Sequence, residues 1–383
     1  MRQTLSVLAI ASLLSGGAFA AGRELPKTMV WTAYDLGSTG YAEATAIGNA
    51  FKKNYGNRVR IIPAGTSIGR ILPLVTGKAR YGYLANGAYF AAEGTYDFAT
   101  QQWGPQDIRI IAGRVASVGL IVAGDIGVKE ISDLKGKRIG YVKGNPSVNV
   151  KNKAYLAFGG LTEDDIQPVW FGSYNAMKTA VLANQLDAFG SATSSALARE
   201  IEASPRGVAW PQFHPENEGG WEKLTDVLNF MAPYKETKGA GISEENPRWL
   251  VGFRYPMVTV YPRHVGADEA YTFIKRLDES FDDYKNVNVL GTNWAIDKAG
   301  PPPYDAPAHE GTVRYLTEKG LWTDEHQAWQ EARLARLNKV LALWDEAQAD
   351  FQEWRAAEAA KGVDVDPEEA WAEHWQGYRA EHL

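Results

Sequence analysis

Three times within its first hundred residues the chain passes from a short apolar run through a Gly/Ser/Thr/Asn turn into a helical pattern, a repeat that commits it to an α/β sheet. The first unit runs from a strand over 28–34 through Gly37-Ser38-Thr39-Gly40-Tyr41 to a helix over 42–54. The second runs from a strand over 59–63 through Ala64-Gly65-Thr66-Ser67-Ile68-Gly69-Arg70 to a helix over 68–76. The third, Tyr81-Gly82-Tyr83-Leu84, ends at Asn86-Gly87 and opens a helix over 88–93. Such turns aim free backbone N–H groups and the positive end of a helix dipole at one spot. Ligands of open α/β sheets sit outside the carboxyl ends of neighbouring strands, so these loops together are expected to hold a carboxylate. Taken singly, a Ser or Thr before a helix is also an ordinary N-cap worth about 1 kcal/mol. It is the succession that points to a ligand.

Segments 107–113 and 118–123 read as two strands with no helix between them, as if the chain were leaving a first lobe. The pattern then restarts. A short turn and a Gly stop precede a strand ending near Tyr141, the polar loop 143–149 opens a helix to Phe158, and 169–171 is a further strand. A helix over 176–183 leads to the strand 186–190 and the Ser/Thr-rich end 191–195. Residues 214–246 are expected to cover this second lobe as a helical or loop insertion. The strand 253–261 carries Pro256, which suits an edge or a crossover, and returns the chain to lobe one. An amphipathic helix over 267–284 follows, and Gly300-Pro301-Pro302-Pro303 could approach the cleft. The expected division is a signal segment 1–20, lobe one over 21–125 plus 252–322, lobe two over 126–251, and a C-terminal helical extension 323–383.

Composition removes whole classes of function. With no cysteine among 383 residues there are no disulfides, thiolate metal sites, cysteine nucleophiles or N-terminal lipidated cysteine. A net charge of -6 argues against nucleic acid as the partner. The six His show no metal spacing, so neither a metal nor a cofactor is expected. The 13 Trp and 18 Tyr could line a sugar site, although in a chain this size they serve mostly as core. Arg2, the apolar stretch 5–14 and Ala18-Phe19-Ala20 form a secretory signal, too short to span a bilayer, that places the mature protein in the periplasm.

The order of these motifs resembles a known family. The Gly-Ser-Thr-Gly loop, the Gly-Thr-Ser loop, Gly77-Lys78-Ala79-Arg80-Tyr81-Gly82, Asp133-Leu134-Lys135-Gly136-Lys137, the strand at Asp187-Ala188-Phe189 and the segment 309–321 together are similar to the TAXI type (TRAP-associated extracytoplasmic immunogenic) of TRAP-transporter solute receptor. The resemblance implies a type II periplasmic-binding fold: two α/β lobes that close on a small organic acid or amino acid and deliver it to a TRAP membrane permease. Carried over by position, Ser38, Thr39 and Tyr41 fall in the first ligand loop, Thr66, Ser67 and Arg70 in the second and Asn86 in the third. Ser147 and Asn149 match the polar loop of lobe two, and Ser191, Thr193 and Ser194 its later strand end. The family more usually has Asn where this chain has Arg70, and Asp where it has Asn86. Both changes make the pocket more positive: a dicarboxylate or oxo-acid gains Arg70 as bidentate partner, while an amino acid misses the Asp for its ammonium group, and an acidic amino acid such as glutamate stays within the expected ligand range. A sensor or ABC-type receptor of the same fold is the alternative, and an extracytoplasmic enzyme a remoter one.

The tail departs from that pattern. Residues 324–360 contain no Pro or Gly, and Leu334, Leu337, Leu341, Trp344, Ala347 and Phe351 recur at steps of three or four, giving a long helix with one apolar stripe. It is expected to pack along the back of the lobes, or else to form a homodimer coiled coil or a permease-docking surface. In either case it should be dispensable for ligand affinity. Asp366-Pro367-Glu368-Glu369 signals the start of a last helix.

Overall fold

A computed structural model of the chain describes residues 24–383, so the signal segment lies outside the described residues. The first three units are β1 (Thr28–Ala33), α1 (Thr39–Tyr55), β2 (Arg58–Pro63), α2 (Ser67–Val75), β3 (Tyr81–Leu84) and α3 (Gly87–Glu93). The polar turns start these helices as N-caps: Ser38 Oγ accepts from Tyr41 N and Thr66 Oγ1 from Gly69 N. The chain then crosses on β4 (Arg109–Ala123) to a second set, β5 (Arg138–Val142), α4 (Pro146–Phe158), β6 (Gln167–Phe171), α5 (Tyr174–Leu182), β7 (Ala188–Ala192), α6 (Ala196–Glu202) and β8 (Val208–Ala209). The stretch expected as a covering insertion forms α7 (Glu218–Val227) and a strand that its charge concealed, β9 (Ala232–Glu236). The return strand is β10 (Arg248–Val260).

Strand order is β2-β1-β3-β10-β4-β7-β5-β6, with β8 beside β4 and β9 beside β10. Within each lobe the short strands pair in parallel, β2-β1-β3 in one and β6-β5-β7 in the other. The long strands β4 and β10 run antiparallel to each other through both. The two strands expected at 107–113 and 118–123 are therefore one. Arg114 and Ser117 interrupt the apolar run, yet both are buried and paired with acids. Arg114 makes a 2.7 Å ion pair with the buried Glu43, and Ser117 Oγ donates to Glu236. Pro256 falls where the β4–β10 register shifts between Arg254 and Met257, so its missing N–H costs no ladder bond.

Lobe one buries an aromatic core in which Trp31 meets Phe51, Tyr81, Tyr83 and Phe273 at centroid distances of 5.5–6.1 Å. The aromatic richness is thus spent largely on packing. The amphipathic stretch expected over 267–284 is broken at Ser280 into α8 (Ala267–Glu279) and α9 (Phe281–Tyr284), followed by α10 (Ile296–Ala299) and α11 (Glu310–Glu318).

The tail forms α12 (Asp324–Ala360) and α13 (Pro367–His382), the latter capped by Asp366 as its sequence signals. The stripe, expected to pack along the back of the lobes or else to form a dimer seam, is occupied by the chain itself. Leu337 joins the main core, while Val340, Leu343, Trp344, Ala347 and Phe351 pack with Trp371, Trp375 and Ala99. Trp344 sits edge-on to Trp371 and Trp375 at 4.8 and 4.9 Å. The tail is pinned to α3 by polar contacts too. Arg336 and Arg379 both bind the buried Glu93, and Trp375 Nε1 donates to Gly94 O at 2.6 Å. Among the described residues no helix is long and apolar enough to cross a membrane.

Candidate functional site

At the carboxyl ends of β1, β3, β5 and β7 the lobes enclose a cavity of about 60 Å³. Lobe one contributes Tyr34, Asp35, Ser38 and Arg70. Lobe two contributes Asn145, Ser147, Lys151, Tyr155, Tyr174 and Ser191, and Tyr255 comes from the crossing strand β10. Ser147, Lys151 and Tyr155 are one α4 turn apart in succession, so the helix period alone puts them on one face.

Two cations dominate. Arg70, in the first turn of α2, is only 3% exposed, and its guanidinium lies 4.2 Å from the Tyr34 ring centroid. Nη1 donates to Ala64 O at 3.0 Å and Nη2 reaches Ser67 Oγ at 3.4 Å, while Nε has no partner in the protein. Burial lowers its pKa, opposed by the neighbouring Tyr34, Tyr255 and Asp35. Lys151 is 8% exposed; its Nζ donates to Ser147 Oγ at 3.1 Å and to Asn86 Oδ1 at 3.4 Å. It lies 4.8 Å from the Phe253 ring centroid. Burial drops its pKa to about 7, with Asp305 raising it and Arg70 lowering it further. Tyr34 Oη and Tyr155 Oη also lack partners. Burial raises the pKa of both tyrosines, keeping them neutral donors. A cavity with two buried cations, a free N–H and two free hydroxyls is chemically suited to an anion.

The acids nearby are differently engaged. Asp35 Oδ1 accepts from Leu36 N and Oδ2 from Asn175 N, which ties the rim of lobe one to α5. Asp305 is buried behind the cavity wall and accepts from Asn86 Nδ2 at 2.9 Å. Burial lifts its pKa to about 6, against the pull of Asn86, Arg333, Lys151 and Arg254.

Of the residues expected at the site, Ser38, Arg70, Ser147 and Ser191 line the cavity. Asn86 stands directly behind it, on Lys151. Thr39, Ser194 and Ser67 join the lobes instead: Thr39 Oγ1 and Ser194 Oγ are 3.1 Å apart, and Ser67 Oγ donates to Asn145 Oδ1 at 2.9 Å. Thr66 caps α2, and Tyr41 is half-buried against the core of lobe one. Thr193 belongs to the Ser117–Glu236 cluster, its Oγ1 lying 3.4 Å from Glu236. Asn149 clamps the end of β5, exchanging two 2.9 Å bonds with Val142 N and O. Asn149→Ala should therefore cost about 1–3 kcal/mol of stability in denaturant titration. Calorimetry with succinate should show no change in affinity for that variant.

Sequence reasoning passed over Tyr34, Asp35, Asn145, Lys151, Tyr155, Tyr174 and Tyr255. For Lys151 and Tyr155 a signal existed in their four-residue spacing from Ser147. For Tyr255 none did, because only the crossing of β10 brings it to the cleft.

Fold and site together define a two-lobed α/β protein with an interlobe cleft suited to an anion. A model of the NMT1-like family matches residues 35–320, and the chain belongs to that family. The α12–α13 tail lies beyond the match. Among solved structures, the chain is similar to the alkanesulfonate-binding protein SsuA from Xanthomonas axonopodis pv. citri bound to MOPS, at 14% identity and a TM-score of 0.39. That match covers 78% of this chain and 92% of the other. The periplasmic aliphatic sulphonate binding protein SsuA from Escherichia coli matches at 16% identity and a TM-score of 0.41, over 81% of this chain and 94% of its own. PhnD1 from Prochlorococcus marinus in complex with methylphosphonate matches at 12% identity and a TM-score of 0.41, covering 69% and 89%. Among curated protein sequences none matches the chain.

Proposed function

We propose that the protein is an extracytoplasmic solute receptor that closes its two lobes on one small organic anion and passes it to a membrane transporter. The observation that carries this reading is the pair of buried cations, Arg70 from lobe one and Lys151 from lobe two, lining one small cavity. An anion bridging them would favour the closed form, since it gains contacts there that an open cleft cannot offer. In this reading the protein turns nothing over, and the signal segment read at 1–20 delivers it across the cytoplasmic membrane.

The kind of transporter is the finer part of the proposal. The order of loops resembles the TAXI receptors and favours a TRAP permease driven by an ion gradient. The match to the NMT1-like family, in place of a TAXI assignment, keeps an ABC-type importer as the second reading. Uptake by cells or vesicles carrying the receptor's own transporter distinguishes them: collapse of the ion gradient stops the first, depletion of ATP the second.

The ligand class is tested by a thermal-shift panel of organic acids, amino acids, sugars and polyamines, with mass spectrometry of any molecule released on denaturation. A cognate acid at 100 times its dissociation constant should stabilise the fold by about 2.7 kcal/mol. Stabilisation by a sugar or polyamine with no response to any acid would overturn the reading.

A further inference from the structure

The tail outside the family match reaches the back of the site through segment 304–309. Segment 304–309 carries Asp305 and passes between the cavity wall and α12. On the tail side, Gln330 accepts from Ala308 N at 2.8 Å and donates to Ala308 O at 2.9 Å, and Arg333 Nη2 donates to Asp305 O at 2.9 Å. Gln330 is itself buried. On the cavity side, the Asn86 amide joins two charges: Nδ2 donates to Asp305 Oδ2 at 2.9 Å and Oδ1 accepts from Lys151 Nζ at 3.4 Å.

We infer that the C-terminal extension is a working part of the anion site: through Gln330 and Arg333 it positions Asp305 behind Asn86, where the carboxylate keeps Lys151 charged toward the cavity. This rests on the receptor reading above. The geometry makes Asp305 a balancing charge the ligand cannot consume. Its Oδ2 is turned to the Asn86 amide, so it sustains the ammonium from behind while Ser147, Tyr34 and Tyr155 line the cavity. The other charges around Lys151 are Arg70, which opposes its protonation, and Asp35, whose oxygens are held by the rim. Around Asp305 they are Arg254 and Arg333. Burial and Arg70 both disfavour the charged form of Lys151, and the positioned Asp305 carboxylate opposes them. The expectation that the tail is dispensable for affinity is replaced by the opposite one.

The test needs no ligand for its main arm. The full chain is labelled with [13Cε]lysine, the Lys151 signal is assigned with Lys151→Arg, and its titration is followed by NMR. The wild-type midpoint should lie near 7. Asp305→Asn should lower it by about one pH unit, the order of a single screened charge at this range. Arg333→Ala should lower it by less, and Arg333→Lys should restore it. Asn86→Ser tests the same relay from the cavity side should a tail variant fold poorly. A midpoint unmoved in folded Asp305→Asn and Arg333→Ala overturns the inference. Calorimetry with succinate at pH 7 is the second arm: affinity should fall about fivefold in Asp305→Asn, in step with the lost ammonium fraction. A wild-type chain that binds no acid sinks the receptor reading instead, whatever the midpoint does.

Discussion

Replacing Arg70 by alanine is expected to weaken binding of a carboxylate such as succinate by about 2–5 kcal/mol, as for other truncated buried charge pairs, while the fold persists. Arg70 is buried and its Nη1 is committed to Ala64 O, but the edge formed by Nε and Nη2 carries only the long contact to Ser67. That edge presents two parallel N–H groups, the geometry a carboxylate takes bidentately. The Tyr34 ring against the guanidinium and the helix around it restrict the side chain, so little ordering entropy remains to be lost on binding. Arg70→Lys should recover only part of the affinity, since an ammonium cannot reproduce the planar fork. The fold should tolerate both changes because no buried acid depends on Arg70 for its partner. Isothermal titration of succinate into the three proteins decides the matter. An unchanged dissociation constant for Arg70→Ala would remove the clamp and reopen the ligand class.

The second large effect is one of pH. Lys151, with a pKa near 7 in place of the ordinary 10.5, carries charge below neutrality and loses it above. If only the ammonium form binds an anion, affinity should fall about tenfold per pH unit from about 7 upward, until the higher pKa of the complex is reached. Lys151→Met should bind weakly and without that slope. Stability should move the other way. Between about 7 and 10.5 the unfolded chain binds a proton that the folded chain has released, so unliganded stability rises with pH across that window. Lys151→Met should flatten this rise in denaturant titrations. A succinate affinity that is constant from pH 6 to 9 in the wild type would show that Lys151 takes no part in binding.

Local chemistry alone determined the α/β class, the start of α2 to within a residue, the uninterrupted α12 and the Asp366 cap of α13, while α1 begins at Thr39, inside the turn read as a loop. Each rests on neighbours within a few residues: apolar runs of strand length, Ser or Thr before a helical period, the absence of Gly and Pro. The same local signals identified polar turns at the strand ends, and Arg70 within one of them. What they could not distinguish is whether a turn residue faces a ligand, the opposite lobe or its own backbone. Thr39, Ser67 and Asn149 have the same local character as Ser38 and Ser147, but an opposed lobe or a strand end takes up their hydrogen bonds. Nor could they recover β4 as one strand. Arg114 breaks its apolar run, and only the distant Glu43 makes that residue an interior one. The tertiary structure alone set Lys151 against Arg70, placed Asp305 behind Asn86 and brought α12 across to hold it. Those contacts join residues 65, 219 and 28 positions apart, through Lys151–Asn86, Asn86–Asp305 and Arg333–Asp305. Their charges shift one another only once burial has removed the water that would screen them.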